Sequence, residues 1–282
     1  LHNLTVISEE LYISGEPLTE LNDLYQALQD FTGSLYLVNN AILEDVTVFS
    51  EITNLEKLII VGSEALSDLH GFENLVSVSG LFRIGFNPEI SNFSNFYSLN
   101  SIGSLDVYEN GNLTSLEGLG SLNQVSQGVY LMDNPLLVDI SAIENVEAQG
   151  LQQVVISRNT SLSVCDNDFV CNVIFDPEVP EEIQGNANGC NSVPQVAARC
   201  ILGKDELNYN TELAIWPNPA HDLLHIDSPN HSVEKVIIYN MGGVLVNEVH
   251  SDFLDISNYA KGFYFLTVFS DRGMTHHQFI KD

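Results

Sequence analysis

LDVYENGNLTSLEGLGSL, residues 105–122, sets apolar side chains at Leu105, Val107, Leu113, Leu116, Leu119 and Leu122, with Asn110 between them. The first pair alternates, as a short strand with one buried face does. The later residues come every three, a spacing that suits extended or tight helical turns better than an α-helix. The pattern recurs up and down the chain, with strand starts at Leu11, Leu35, Leu58, Phe82, Leu105, Val129 and Val154, spaced by 24, 23, 24, 23, 24 and 25 residues. A fixed period of this length signals stacked repeats. No single unit can bury its apolar face alone, so neighbours share one core.

Asn40, Asn87, Asn110, Asn134 and Asn159 each follow a strand start by five residues, Ser63 replaces Asn once, and the first repeat reads as one residue short. Asn tolerates a tight turn and bonds nearby backbone, so a structural role is the expectation. The three-residue series is equally regular, with Leu43, Val46, Phe49, Ile52 and Leu55 in one repeat and Leu66, Leu69, Phe72, Leu75 and Val78 in the next. This motif resembles the leucine-rich repeat superfamily, most closely the receptor L-domain-like repeats on surface proteins of Bacteroidetes. The resemblance covers residues 1–164 and implies a mainly β solenoid of about seven repeats with a ladder of stacked asparagines. Leu1, Leu4 and Ile7 continue the three-residue spacing, so the sequence is expected to begin inside a repeat, with a signal peptide removed upstream.

Outward strand positions form two columns across the expected sheet. One reads Tyr12, Tyr36, Ile59, Arg83, Asp106, Tyr130, Val155; the other reads Ser14, Val38, Val61, Gly85, Tyr108, Met132, Ser157. Tyr12, Tyr36, Arg83, Asp106, Tyr108, Tyr130 and Met132 form the candidate binding face, because an aromatic ring with a polar tip suits a sugar or a protein partner. Cross-strand packing of aromatic and branched residues accounts for the same columns without a ligand. Sequons at Asn3, Asn92, Asn112 and Asn159 mostly coincide with the repeat consensus and carry little weight for glycosylation.

Composition narrows the classes. Nine Lys plus Arg against 38 Asp plus Glu give a net charge of −29, the reverse of what phosphate neutralisation in a nucleic-acid complex requires. No apolar run approaches the roughly 20 residues needed to span a bilayer. Residues 1–200 hold 4 basic and 27 acidic side chains, net −23, so the repeats carry most of the charge. It reads as a solvated surface, with attraction of cations as the sharper alternative.

After Leu162 the pattern breaks. Cys165, Cys171, Cys190 and Cys200 are the only cysteines and lie among Pro177, Pro180, Gly185, Gly189 and Pro194. Their gaps lack the paired two-to-four-residue spacing of a zinc ribbon, and two disulfides in an oxidising compartment are expected. The segment 165–200, with NANGCN at 186–191, resembles the cysteine-bearing cap that closes such solenoids. Analogy to other repeat caps favours Cys165 with Cys190 and Cys171 with Cys200. Asp166-Asn-Asp168 lacks the glycine and glutamate of a calcium loop, and helix capping near Phe169 is the better reading.

Residues 201–212 read as a linker. From Leu213 to Asp282 the texture is all-β, with about seven short strands and a hairpin turn at Gly242-Gly243, which suggests a small β-sandwich. Trp216-Pro217-Asn218-Pro219-Ala220 with Asp222, the Val236–Tyr239 strand followed by Gly243, Asp255-Ile-Ser257, Gly262-Phe-Tyr264 and Phe279-Ile-Lys281 resemble the C-terminal sorting domain of the type IX secretion system. The resemblance implies passage through the periplasm to an outer-membrane translocon, cleavage by a cysteine-protease sortase, and a secreted or surface-attached product. In that reading Pro217, Asn218, Pro219, Gly243, Gly262, Tyr264 and Lys281 belong to an address without activity of its own. His221 and His225 would share one strand face and read as a surface pair, and His276-His277 point to opposite faces.

No GxSxG, HExxH, phosphate-cradling loop or paired-carboxylate motif is present, so no enzyme activity, cofactor or metal is expected. Two readings remain: an exported binding protein whose sheet face holds a protein or glycan, and an accessory region of a larger secreted enzyme with its catalytic domain upstream of Leu1.

Overall fold

The computed structural model describes residues 6–15, 18–204, 214–227, 232–270 and 273–282. Readings that fall on Leu1, Leu4, Asn3, Leu213 and linker residues 205–212 lie outside the described residues. The fold is mainly β and divides into two units, residues 1–193 and 194–282.

The first unit is built on one nine-stranded sheet. Its strands are β1 (Glu10–Ser14), β2 (Ser34–Val38), β3 (Asn54–Leu55), β4 (Lys57–Val61), β5 (Ser77–Gly85), β6 (Ser101–Tyr108), β7 (Gln124–Met132), β8 (Gln153–Ser157) and β9 (Glu181–Gln184). Apart from short β3, which pairs with β5, the strands lie side by side in chain order and all run parallel. Leu11, Leu35, Leu58, Phe82, Leu105, Val129 and Val154 face one another straight across this register. Through Gly15 the first repeat keeps step with the others, its N–H reaching the Val38 carbonyl as the Asn39 N–H reaches that of Val61, and the expected one-residue shortening falls on residues 16–17, outside the described residues.

Between strands the chain returns through 3-10 turns at Asn22–Leu28, Thr47–Phe49, Ser94–Phe96 and Ser141–Ile143. Their three-residue pitch is what the sequence spacing encodes. Each turn drops apolar residues onto the back of the sheet, and Phe49, Phe72 and Phe96 stack in a row with centroids 5.6 and 5.4 Å apart. A second buried row, Val78, Ile102 and Val125, pairs where β5, β6 and β7 begin, ahead of a register shift in each pair. The backbones close in tightly there: a Cβ on Gly103 would lie 2.5 Å from the Gly80 carbonyl oxygen.

The asparagines form a buried ladder. The Nδ2 groups of Asn40, Asn87, Asn110, Asn134 and Asn159 donate to the carbonyls of Ile13, Ile60, Ile84, Val107 and Leu131 at 2.9–3.0 Å. The Oδ1 atoms of the last four accept the N–H of Ser63, Asn87, Asn110 and Asn134 in the preceding rung. The ladder continues past the expected end of the repeats at residue 164. Asn186 accepts the Asn159 N–H at 2.9 Å and donates to the Ile156 carbonyl at 2.7 Å, and β9 pairs with β8 in the same register. An eighth rung therefore sits inside the segment read as a cap.

That segment also contains α1 (Asp168–Phe175), whose N-terminus is capped by the Asn167 side chain accepting the Val170 N–H. Further along the chain α2 (Val193–Lys204) carries helix into the first four residues read as linker. Cys165 and Cys190 are joined, Cys171 and Cys200 are disulfide-bonded as well, and no free cysteine remains.

The second unit holds β10 (Ala214–Trp216), β11 (Leu223–Asp227), β12 (Val233–Asn240), β13 (Leu245–Val249), β14 (Phe253–Asp255), β15 (Gly262–Ser270) and β16 (Gly273–Lys281). They form a three-stranded sheet, β10-β11-β14, and a four-stranded sheet, β13-β12-β15-β16, with antiparallel pairing throughout. Leu224, Ile226 and Leu254 from the first sheet and Val236, Ile238, Leu266, Val268 and Phe279 from the second share one core. The β12–β13 hairpin closes where expected, with Gly243 at φ +72° and the Asn240 side chain accepting the N–H groups of Gly242 and Val244. No helix among the described residues is long and apolar enough to cross a membrane.

Candidate functional site

Parallel in-register strands bring each outward column into a continuous row, and the two halves of the face differ. At one end Tyr12 and Tyr36 pair across β1 and β2 with ring centroids 5.5 Å apart, and Tyr12 is 56% exposed. Half-buried Ile59, Val38 and Val61 continue that surface. Toward the middle the side chains satisfy one another. The Arg83 guanidinium bonds the Asp106 carboxylate at 2.6 Å and lies 5.8 Å from the Tyr108 ring centre.

Tyr108 rests on Gly85, where a Cβ would meet its ring at 2.6 Å. Burial raises the phenol pKa above its ordinary value, against the opposing pull of Arg83. Tyr130 folds over Gly128 in the same manner, 2.9 Å from where a Cβ would stand. Met132 is half-buried beside Tyr108, while Asp106 is 6% exposed. Of the seven residues singled out on this face, Arg83, Asp106 and Tyr108 form one internally paired group, and Tyr12 with Tyr36 forms an open aromatic pair.

A third column escaped the sequence reading. The residue just before each ladder position takes a left-handed conformation: Gly15, Asn39, Gly62, Phe86, Glu109, Asp133, Arg158 and Gly185 all have φ between 54 and 71°. Three glycines and an asparagine at one phase of the repeat were the available signal. Side chains at this step project along the rim of the sheet. Arg158 grips Asp133 there through two 2.6 Å bonds, which hold its pKa above the ordinary value, and Phe86 meets Tyr108 edge to face at 5.3 Å.

In the second unit the motif residues hold the sheets together. Asn218 donates to the Gln278 carbonyl at 3.2 Å and accepts the Ile280 N–H at 2.9 Å, so its amide acts as a short strand along the free edge of β16. The flanking Trp216–Pro217 and Asn218–Pro219 bonds are cis. Ala220 extends the contact by donating to Ile280 and accepting from Asp282. Tyr264 donates to the Ala260 carbonyl at 2.8 Å and stacks on Phe279, while Gly262 opens β15 opposite Lys281. Lys281 is buried and its Nζ bonds the Asp282 carbonyl.

His221 lies ahead of β11, 3.4 Å from Asp282, while His225 stacks on Trp216 at 4.5 Å. The two do not share a strand. Buried His276 meets Thr267, and His277 faces the other side of β16. Among the described residues no group of three or more His, Cys, Asp or Glu is arranged to hold a metal ion.

Residues 214–282 match the family model of the secretion system C-terminal sorting domain. The match covers the second unit from β10 to the chain end and indicates export by type IX secretion to the cell surface or the medium. It also implies interaction with that secretion system. No curated protein matches the chain.

Proposed function

We propose that the first unit is a leucine-rich-repeat solenoid of the receptor L-domain kind, acting as the non-catalytic binding body of an exported protein. Its sheet face holds a protein or glycan partner. The sorting domain passes the chain to the outer-membrane translocon and is then removed by the sortase. The observation that carries the binding role is the Tyr12–Tyr36 pair, with Tyr12 exposed and Tyr36 half-buried. It presents two aromatic faces with polar tips and lies outside the Arg83–Asp106–Tyr108 group that packs internally. The ladder and the in-register strand starts support the repeat assignment.

A screen of the full chain against glycans and surface proteins, followed by a Tyr12→Ala/Tyr36→Ala variant, tests this role. Loss of roughly tenfold or more in affinity with an unchanged melting temperature is expected, as for truncation of an aromatic anchor. Equal binding by wild type and variant would contradict the assignment.

A further inference from the structure

The rim of the sheet carries a shallow groove of about 480 Å³, lined by Asn39, Gly62, Glu64, Phe86, Pro88 and Glu109. We propose that this groove seats an arginine side chain of a basic protein partner. The site is distinct from the Tyr12–Tyr36 surface and does not depend on it.

Phe86 is the anomaly that marks the place. A bulky aromatic residue stands at φ +54°, at a step where the other repeats use glycine, asparagine or the charged Glu109, Asp133 and Arg158. Left-handed backbone disfavours such a side chain, and its ring stays 49% exposed. The conformation aims an aromatic surface along the groove, with the ring held edge-on by Tyr108.

Charge identifies the occupant. Among the described residues neither Glu64 nor Glu109 has a cation within ion-pair distance. The same rim shows what completes such a site, because Asp133 receives the two-pronged guanidinium of Arg158. The neighbouring Tyr108 already has the Arg83 guanidinium at its ring. A groove with one open aromatic ring and two carboxylates that make no direct ion pair fits a guanidinium, through a ring contact and charge-assisted hydrogen bonds. An anionic ligand would meet only repulsion. The −23 charge of residues 1–200 adds a field that draws a basic segment toward the surface.

The full chain would be titrated calorimetrically, at about 50 mM salt to limit screening, with a blocked peptide of alternating Gly and Arg. Its Gly-Glu counterpart and a neutral glucan oligosaccharide serve as comparison ligands. The Arg peptide is expected to bind. Phe86→Asn should weaken it by about tenfold, the scale of one desolvated cation–ring contact, without lowering the melting temperature, since Asn accepts left-handed backbone. Glu64→Gln/Glu109→Gln should weaken it at least as much. Unchanged affinity in Phe86→Asn would overturn the proposal by reducing the attraction to overall charge. Absence of Arg-peptide binding, or binding of the glucan alone, would overturn it too.

Discussion

A single amide sets much of this structure. Each ladder asparagine is buried and donates to a strand carbonyl one rung back, and all but Asn40 also accept an N–H from that same preceding rung. Backbone that turns away from a strand leaves such groups without partners, and burying them unpaired is costly. The left-handed residue ahead of each asparagine makes that turn possible. A second residue-scale feature is a titrating cluster on one turn, where His70 Nδ1 lies 2.6 Å from Glu73, with Asp68 and Asn95 beside it. The Glu73 hydrogen bond and then the Asp68 charge raise the His70 pKa above 6.5. Burial pushes Glu73 upward, but hydrogen bonds from the Gly71 N–H, His70 and Asn95 outweigh it and hold its pKa below 4.5. A raised histidine stabilises below its unfolded pKa and loses that effect as pH rises through the folded one. A depressed glutamate stabilises above its unfolded pKa and loses that effect as pH falls. The cluster therefore contributes most between these two ordinary values. The melting-temperature advantage of wild type over His70→Gln should be larger near about pH 5.5 than near about pH 8.5. An equal advantage at both would show that the pair does not couple to folding.

At the scale of elements, the sequence was legible wherever periodicity exposed it. Seven strand starts, five ladder asparagines, the 3-10 pitch and the Asn167 cap follow from spacing and side-chain chemistry, and the structure places all of them in register. The eighth rung was hidden for a physical reason. β9 opens on Glu181, whose carboxyl is half-buried and has its pKa raised by that burial, and it begins 27 residues after Val154. With α1 inserted before it and a charged first residue, it shows neither the period nor the apolar pair, although Ile183 and Asn186 keep their places. The face was harder to read than the fold. Sequence gives column membership, but which side chains pair internally depends on Gly85 and Gly128 making room for rings two residues on or one strand over. Asn186→Ala tests whether the cap is a true rung, because it removes the partners of the Asn159 N–H and the Ile156 carbonyl. Two buried groups left bare should cost roughly 2–5 kcal/mol in urea unfolding. A loss below about 0.5 kcal/mol, the scale of a neutral surface change, would mean that the ladder ends at Asn159.

For the whole molecule, two units meet different demands. The repeats carry most of the acidity, while the sorting domain buries Ala220, Tyr264 and Lys281 and uses exposed Asn218 to keep β16 from presenting a bare edge. Residues 214–282 match a sorting family, so export is the property on which every binding proposal depends. The most direct measurement is the intact mass and C-terminal sequence of the protein recovered outside the native cells, alongside a chain lacking residues 214–282. The account predicts an extracellular product ending between about Cys200 and Leu213, and retention of the truncated chain inside the cell envelope. An extracellular product still ending at Asp282, or export of the chain without its tail, would contradict it.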